Sequence, residues 1–303
     1  MTPDDLAQAV PALIAHRPGV RVLGVRSTAS GMNSVTVAVT LSIGRFVAKW
    51  VPTSERDGLR SGAYAAREMT AVGLRAGAPL ELQDGEVTAP LVDGEVALLE
   101  EVPGSPLTAG ESDQEAWGAA IGRAHRIAPR REHGTFFGWV EEEGMNPARE
   151  AWVRLAATRV LKEVRSAGGV SWVQLHTDPA PEAFLRDDTS GEVGVIDWTG
   201  SVPGPALYHV ASAVMYAGGP AKAARLLKAY LDASGLPATE VAEFLDTFRR
   251  FRALVQAVYF SIRLARSDLT GIATQAENTA GLRDAREMLR DLGVLPDEHG
   301  RCA

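Results

Sequence analysis

The chain has 303 residues, of which 46% are hydrophobic and 23% charged, and it carries a formal net charge of −7 with a pI near 5.5. This length suffices for one large or two modest domains with a real core. The acidic balance argues against nonspecific binding to nucleic acid or to an anionic membrane, since both call for basic patches. The single cysteine, Cys302, excludes an intramolecular disulfide and a cysteine-based metal site.

The N-terminal segment gives no sign of targeting. Residues Met1 to Asp5 lack the basic and apolar regions of a signal peptide. No apolar run in the sequence is long enough to span a bilayer. We therefore expect a cytoplasmic protein.

The first hundred residues alternate between helical and strand periodicity. Apolar residues at helical spacing predict a helix over residues 3–16, and a second helix is predicted over Leu59 to Ala76, with Glu68 near its middle. Runs of alternating apolar residues predict strands at Val20–Val25, Ser34–Leu41, Phe46–Val51, Val87–Leu91 and Val96–Leu99. Antiparallel strands with one inserted helix favour an α+β lobe over a doubly wound parallel sheet.

The rest of the chain is predominantly helical. Glu100 to Pro106 is rich in turn-forming residues and predicts a hinge before the first long helix. Helical periodicity predicts further helices at Asp113–Ile127, Trp152–Ala167, Val210–Ala217, Ala221–Ala233, Val241–Leu264 and Leu282–Leu292.

Two short motifs lie between these helices and indicate a chemistry. His176-Thr177-Asp178 follows the apolar run from Val170, and Ile196-Asp197-Trp198 follows the run from Val193, with a polar turn between them. This pattern predicts the two strands of one hairpin, each ending in an aspartate. Two such carboxylates at one cleft can divide the roles of proton acceptor and metal ligand that phosphoryl transfer requires.

These motifs resemble the catalytic core of the aminoglycoside phosphotransferase family, whose members are relatives of protein kinases. The resemblance implies a two-lobe, protein-kinase-like α+β fold. It divides the chain into an N-lobe at residues 1–101, which binds the nucleotide, and a C-lobe at residues 102–303, which holds the hinge, the catalytic hairpin and a helical acceptor region. The implied activity is the transfer of the γ-phosphoryl group of ATP to a hydroxyl acceptor, with Mg²⁺ as the cofactor.

The resemblance also implies roles for individual residues. Asp178 would be the catalytic base and Asp197 a metal ligand. Lys49, in Val47-Ala48-Lys49, would orient the phosphates with Glu68 as its ion-pair partner, although strand alternation alone does not say which face Lys49 occupies. The remaining nucleotide contacts would come from the loop over the triphosphate and from the backbone of the hinge, at Ser30, Gly31, Asn33, Ser34, Glu100 and Val102.

The sequence departs from the family pattern in the catalytic loop. Thr177 replaces a glycine, and Ala183 stands where the family has a metal-binding asparagine. Glu182 lies one position earlier and carries a carboxylate, which is a good ligand for Mg²⁺. We expect Glu182 to replace the asparagine, and the alternative is a solvated Glu182 on a rigid proline-rich loop.

Three histidines accompany these motifs. The resemblance assigns His176 a supporting role in the catalytic loop. His125 lies on the apolar side of a predicted helix, and we expect it to be a core histidine. His209 replaces an aspartate that often follows tyrosine in this family, and the sequence gives it no function.

The acceptor is left open. An antibiotic, a sugar or another small natural product is the usual target in this family. A second hypothesis is a kinase of Ser or Thr in a precursor peptide, which would act with a partner enzyme. A third is a pseudokinase, a binding protein that has lost one metal ligand.

Overall fold

The computed structural model describes residues 1–27, 34–82, 85–130, 136–269 and 272–296. Its strands are β1 (Val22–Ser27), β2 (Val35–Leu41), β3 (Gly44–Pro52), β4 (Ala89–Pro90), β5 (Gly94–Glu100), β6 (Ser105–Pro106), β7 (Pro129–Arg130), β8 (Trp172–Leu175), β9 (Phe184–Arg186), β10 (Val193–Val195) and β11 (Val202–Pro205). Its helices are α1 (Pro3–Leu13), α2 (Arg56–Ala71), α3 (Glu111–Ile127), α4 (Gly138–Gly144), α5 (Ala151–Ser166), α6 (Ala206–Tyr216), α7 (Ala224–Ser234), α8 (Ala238–Ala265) and α9 (Gln275–Asp291). The predicted α+β class is confirmed. Across the described ranges, no helix is long and apolar enough to cross a membrane.

The N-terminal part is a five-stranded antiparallel sheet in the order β1-β2-β3-β5-β4. One face packs against α1 through a cluster that includes Leu6, Val10, Val37, Ala48 and Leu98. The other face packs Val51 and Ala97 against Leu59 of α2. Because side chains alternate along a strand, Lys49 shares this second face with Val51. The structure thus resolves the orientation that periodicity left open.

The larger core lies in the helical part and reaches back to α2. Ala65, Ala66 and Met69 of α2 belong to the same buried cluster as Trp117 of α3 and Phe184 of β9. Helices α3 and α7 approach so closely that a Cβ atom at Gly118 would lie 2.2 Å from the Leu226 carbonyl oxygen. Helix α2 therefore connects the sheet to the helical part.

The predicted hairpin of two aspartate-bearing strands is wrong. Strand β8 pairs with β11 and β7, whereas β10 pairs with β9 across the Asp187–Gly191 turn. The strand between the two motifs was missed because Phe184–Arg186 is only three residues long. The two aspartates consequently follow strands of different three-stranded sheets.

Arg75 joins the two parts of the chain. Its guanidinium forms ion pairs with Asp187 at 2.7 Å and Glu192 at 2.8 Å, and its carbonyl accepts a hydrogen bond of 2.8 Å from the Val195 N–H. The predicted lobe boundary, between residues 101 and 102, falls in the segment that links β5 to β6.

Candidate active site

Lys49 and Asp197 meet at the cleft between the sheet and the helical part. The Lys49 Nζ atom donates hydrogen bonds to Asp197 Oδ1 at 2.5 Å and to Thr199 Oγ1 at 2.8 Å. The Lys49 side chain is 10% exposed, and that of Asp197 is 58% exposed. A buried lysine on the central strand is thereby paired with a carboxylate that stays open to the cleft.

The Asp197 turn is held against α2. A Cβ atom at Gly62 would lie 2.5 Å from the Trp198 carbonyl oxygen, so only glycine permits this approach. The Gly200 N–H donates to the Gly58 carbonyl at 2.9 Å. Asp197 has φ +62°, in the left-handed region that Asp adopts more readily than most residues.

The electrostatics of Asp197 favour the ionised form. Partial burial acts to raise the pKa of this carboxyl, but the charge of Lys49 and its hydrogen bond hold the pKa below the usual range. Asp197 is therefore an anion at neutral pH, the form that ligates hard cations.

His176 connects the turn of Asp178 to the turn of Asp197. The imidazole is 4% exposed, and its ring nitrogens contact the Asp178 carbonyl at 2.9 Å and the Ile196 carbonyl at 2.6 Å. The ring also packs edge-on against Trp198. This geometry agrees with the supporting role expected for His176.

Asp178 is exposed and has a partner that the sequence did not indicate. The Tyr216 hydroxyl, at the end of α6, donates to Asp178 Oδ1 at 2.5 Å. Burial, followed by the charge of Asp178, raises the pKa of Tyr216, so the phenol remains a donor. Arg252 of α8 is buried beside this pair and donates from Nε to Ser212 Oγ at 3.1 Å. No motif signals Tyr216 or Arg252, because both come from helices without a fixed spacing to Asp178.

Glu68 does not form the expected ion pair with Lys49. It is 61% exposed and pairs instead with Arg130 at 2.5 Å, while Lys49 pairs with Asp197. Arg130 is oriented by Gln174, whose Oε1 accepts from the arginine Nε at 3.1 Å. Arg130 lies 62 residues from Glu68 along the chain, so this pairing cannot be read from local sequence.

The two residues at the catalytic-loop departure from the family pattern, Ala183 and Glu182, differ in burial. Ala183, in the 3₁₀ turn Pro181–Ala183, is buried, and its carbonyl accepts from the Ile196 N–H at 2.9 Å. Glu182 is exposed. In the residues that the structure describes, no group of three or more His, Cys, Asp or Glu side chains is placed to hold a metal ion.

The predicted nucleotide contacts are only partly visible. Ser30, Gly31 and Asn33 lie outside the described residues, and Ser34 is half-buried just before β2. In the hinge, Glu100 ends β5, and Val102 is buried at 8% exposure.

Two buried histidines lie behind the catalytic loop. Burial lowers the pKa of His125 to about 3. Burial, and then the neighbouring histidines, lowers the pKa of His209 well below its usual value. Both rings are therefore neutral in the folded protein at neutral pH.

The neutral, buried His125 and His209 predict that the free energy of unfolding falls at acidic pH. Because the unfolded chain binds protons at these histidines below pH 6.5 and the folded chain does not, stability is full above pH 6.5 and falls as the pH decreases. The expected loss from His125 alone is about 2 kcal/mol between pH 7.5 and pH 5, and His209 adds to it in the same direction. Urea denaturation across this range measures it. A variant with both histidines replaced by Phe should show a much weaker pH dependence, and an unchanged dependence would contradict the assignment.

Comparisons with known proteins agree with this fold. Three similar solved structures are an aminopropanol kinase associated with a microcompartment, a choline kinase from Streptococcus pneumoniae, and an amicoumacin kinase in complex with AMP-PNP and Ca²⁺. The first is 16% identical, with a TM-score of 0.65 and coverage of 94% of this chain and 96% of that chain. The second is 14% identical, with a TM-score of 0.68 and coverage of 94% of this chain and 98% of that chain. The third is 15% identical, with a TM-score of 0.65 and coverage of 88% of each chain. At sequence identities this low, the likeness to these structures establishes the fold alone.

The family assignment rests on the sequence itself. No curated protein gives a significant match to the chain. The model of the phosphotransferase enzyme family, however, matches residues 24–245, a range that contains Lys49, Asp178 and Asp197. The chain belongs to the phosphotransferase enzyme family and is a phosphotransferase with the kinase-like fold of that family.

Proposed function

We propose that this protein transfers the γ-phosphoryl group of ATP to a hydroxyl group of a small molecule, with Asp178 as the base. One observation carries the proposal. Lys49 and Asp197 are 148 residues apart in the sequence, yet Lys49 Nζ lies 2.5 Å from Asp197 Oδ1. The ring of His176 joins the Asp197 turn to the Asp178 turn. A cation for phosphates is thus paired with an open carboxylate, and a second exposed carboxylate lies in a turn that His176 ties to theirs.

The roles follow from the demands of phosphoryl transfer, which needs positioning and charge stabilisation more than covalent chemistry. Lys49 supplies a positive charge for the phosphates, which compete with Asp197 for its ammonium group. Asp178 accepts the proton of the acceptor hydroxyl, which approaches the carboxylate beside Tyr216. The hinge backbone at Glu100 and Val102 and the loop with Ser30, Gly31, Asn33 and Ser34 are assigned to the nucleotide.

The donor set fits a magnesium ion. Mg²⁺ binds oxygen ligands and commonly takes one or two carboxylates together with substrate phosphates. Asp197 offers an ionised, half-exposed carboxylate, and Glu182 offers a second exposed one. When bound, Mg²⁺ would neutralise charge on the phosphates. We assign Asp197 and Glu182 as its protein ligands.

The acceptor is assigned by analogy with the similar structures. Those kinases are named for aminopropanol, choline and amicoumacin, all of them small molecules, and the amicoumacin kinase is in complex with AMP-PNP. In this chain the acceptor would meet α6 and α8, which bring Tyr216 and Arg252 beside Asp178. Nothing in the comparisons supports a peptide acceptor or a partner enzyme.

The pseudokinase is the second candidate, and the loop observation favours it. Ala183, at the position of the family's metal-binding asparagine, provides no metal ligand. Such a protein would bind nucleotide without transferring phosphate.

Nucleotide binding and turnover separate the two candidates. An active kinase should gain about 2.7 kcal/mol of stability at an ATP concentration one hundred times Kd, with a clear requirement for Mg²⁺. It should also release ADP in the presence of 1-amino-2-propanol, choline or an aminoglycoside. Stabilisation by ATP that is independent of Mg²⁺, without ADP release for any acceptor, would favour the pseudokinase.

Glu182→Ala tests the metal assignment. If the carboxylate ligates the ion, the variant should need more Mg²⁺ for half-maximal activity and should lose roughly 10-fold to 100-fold in kcat. A magnesium titration of ADP release measures both. Glu243→Ala removes another exposed glutamate, on α8, and serves as the control. Identical magnesium curves for both variants would remove Glu182 from the site.

A further inference from the structure

The turn before Asp178 is strained and is held from behind. Thr177 has φ +76°, in the left-handed region that β-branched residues adopt only at a cost. The Thr177 side chain does not tie the turn to another part of the protein, because its Oγ1 donates to the carbonyl of the neighbouring His176 at 2.6 Å. Its backbone N–H donates to His209 Nε2 at 2.9 Å. This contact anchors the strained peptide to α6.

The anchor continues through two more helices. His209 Nδ1 lies 2.8 Å from His125 Nε2 on α3, and His125 Nδ1 lies 3.0 Å from the Tyr230 hydroxyl on α7. The three side chains are 3%, 1% and 0% exposed, so water does not compete for these contacts. The planes of the two imidazole rings are within 16° of parallel and their centroids are 5.1 Å apart, so the rings meet edge to edge through this hydrogen bond.

The direction of every hydrogen bond follows from the first. A backbone N–H can only donate, so His209 Nε2 must be the unprotonated nitrogen of a neutral ring. His209 Nδ1 therefore carries the proton and donates to His125 Nε2. His125 in turn carries its proton on Nδ1 and donates to the Tyr230 oxygen. Complete burial also keeps both histidines neutral, because it lowers their pKa values.

We propose that His209, supported by His125, is a positioning residue for phosphoryl transfer. By accepting the Thr177 N–H it holds the peptide in the left-handed conformation that sets the direction of the Asp178 carboxylate. Without this acceptor, Thr177 relaxes toward the negative φ values that it prefers, and Asp178 turns away from the acceptor hydroxyl. The inference rests on the proposed role of Asp178 and adds a residue that contacts neither nucleotide nor acceptor.

A double-mutant cycle tests this positioning role. His209→Leu should lower kcat roughly 10-fold to 100-fold, the effect of a small misplacement of a catalytic group, with KM for ATP within about twofold of wild type. Thr177→Gly should restore most of the lost kcat in the Leu variant, because glycine adopts positive φ without the anchor. Thr177→Gly alone completes the cycle, and its effect on kcat with and without His209 gives the coupling between the two residues.

A matched control removes general destabilisation as the cause. Leu289→Ala truncates a fully buried side chain on α9 and should lower stability without a loss of kcat at temperatures below unfolding. An unchanged kcat in His209→Leu, or a loss that Thr177→Gly does not relieve, would overturn the proposal.

A readout without turnover keeps the inference separate from the proposed function. NMR of ¹⁵N-histidine protein should show His209 and His125 as neutral rings protonated at Nδ1. Protonation at Nε2 of His209 would overturn the anchor whatever the activity. If the protein shows the predicted tautomers but transfers no phosphate, the anchor stands and the proposed role of Asp178 is wrong.

Discussion

Asp178→Asn is expected to lower kcat by roughly 10²-fold to 10⁴-fold, the range that a positioned general base contributes. Asparagine keeps the shape of the side chain and can still contact Tyr216, but it cannot accept the proton of the acceptor hydroxyl. Binding of ATP and Mg²⁺ should stay near the wild-type level, because Lys49 and Asp197 keep their direct contact. ADP release and calorimetric titration of AMP-PNP measure the two effects.

Asp188→Asn is the matched control for this change. Asp188 is exposed in the turn between β9 and β10, so its loss should leave both kcat and nucleotide affinity unchanged. If the two variants were equally active, Asp178 would not be the base.

Replacing either member of the Lys49–Asp197 pair should abolish phosphoryl transfer, but the two replacements should lower the free energy of unfolding by different amounts. Asp197→Asn preserves the left-handed turn, since Asn tolerates φ +62°. It leaves a 10% exposed ammonium without its carboxylate. We expect a loss of about 2 kcal/mol, below the 3–5 kcal/mol of fully buried pairs because the Asp197 side chain is half-exposed. Lys49→Met keeps the apolar stem and leaves a carboxylate that water can solvate, so it should cost less.

Both variants should lose high-affinity binding of ATP with Mg²⁺, in contrast to Asp178→Asn. Urea denaturation and nucleotide titration on the three proteins measure the pattern. Equal stability losses at Lys49 and Asp197 would show that the ammonium is better solvated than its exposure indicates. Wild-type nucleotide affinity in both variants would remove the pair from the nucleotide site.

The sequence predicted the parts of this site that depend on local pattern. The Val-Ala-Lys strand and the two aspartate motifs each follow an apolar run, and hydrophobic periodicity locates such runs. The family model and the fold confirm the resemblance that these motifs carried.

What the sequence did not predict depends on contacts between distant segments. Glu68 pairs with Arg130, which is 62 residues away in the sequence. Strand β8 pairs with β11 rather than β10, because the three-residue strand β9 pairs with β10. Tyr216 reaches Asp178 from 38 residues away. The role proposed for His209 depends on the contact of its Nε2 with the Thr177 N–H, a peptide whose positive φ needs such an anchor.

A single-turnover experiment with ATP labelled in the γ-phosphate tests the central claim most directly. Enzyme in excess over ATP removes the contribution of trace contaminants, and a panel of small hydroxyl compounds supplies the acceptor. We predict that the label moves to an acceptor hydroxyl with wild-type protein, that it does so only with Mg²⁺, and that Asp178→Asn retains bound ATP without transfer. Wild-type protein that binds ATP with Mg²⁺ but leaves the label on ATP for every acceptor, or an Asp178→Asn variant that transfers at the wild-type rate, would contradict this account.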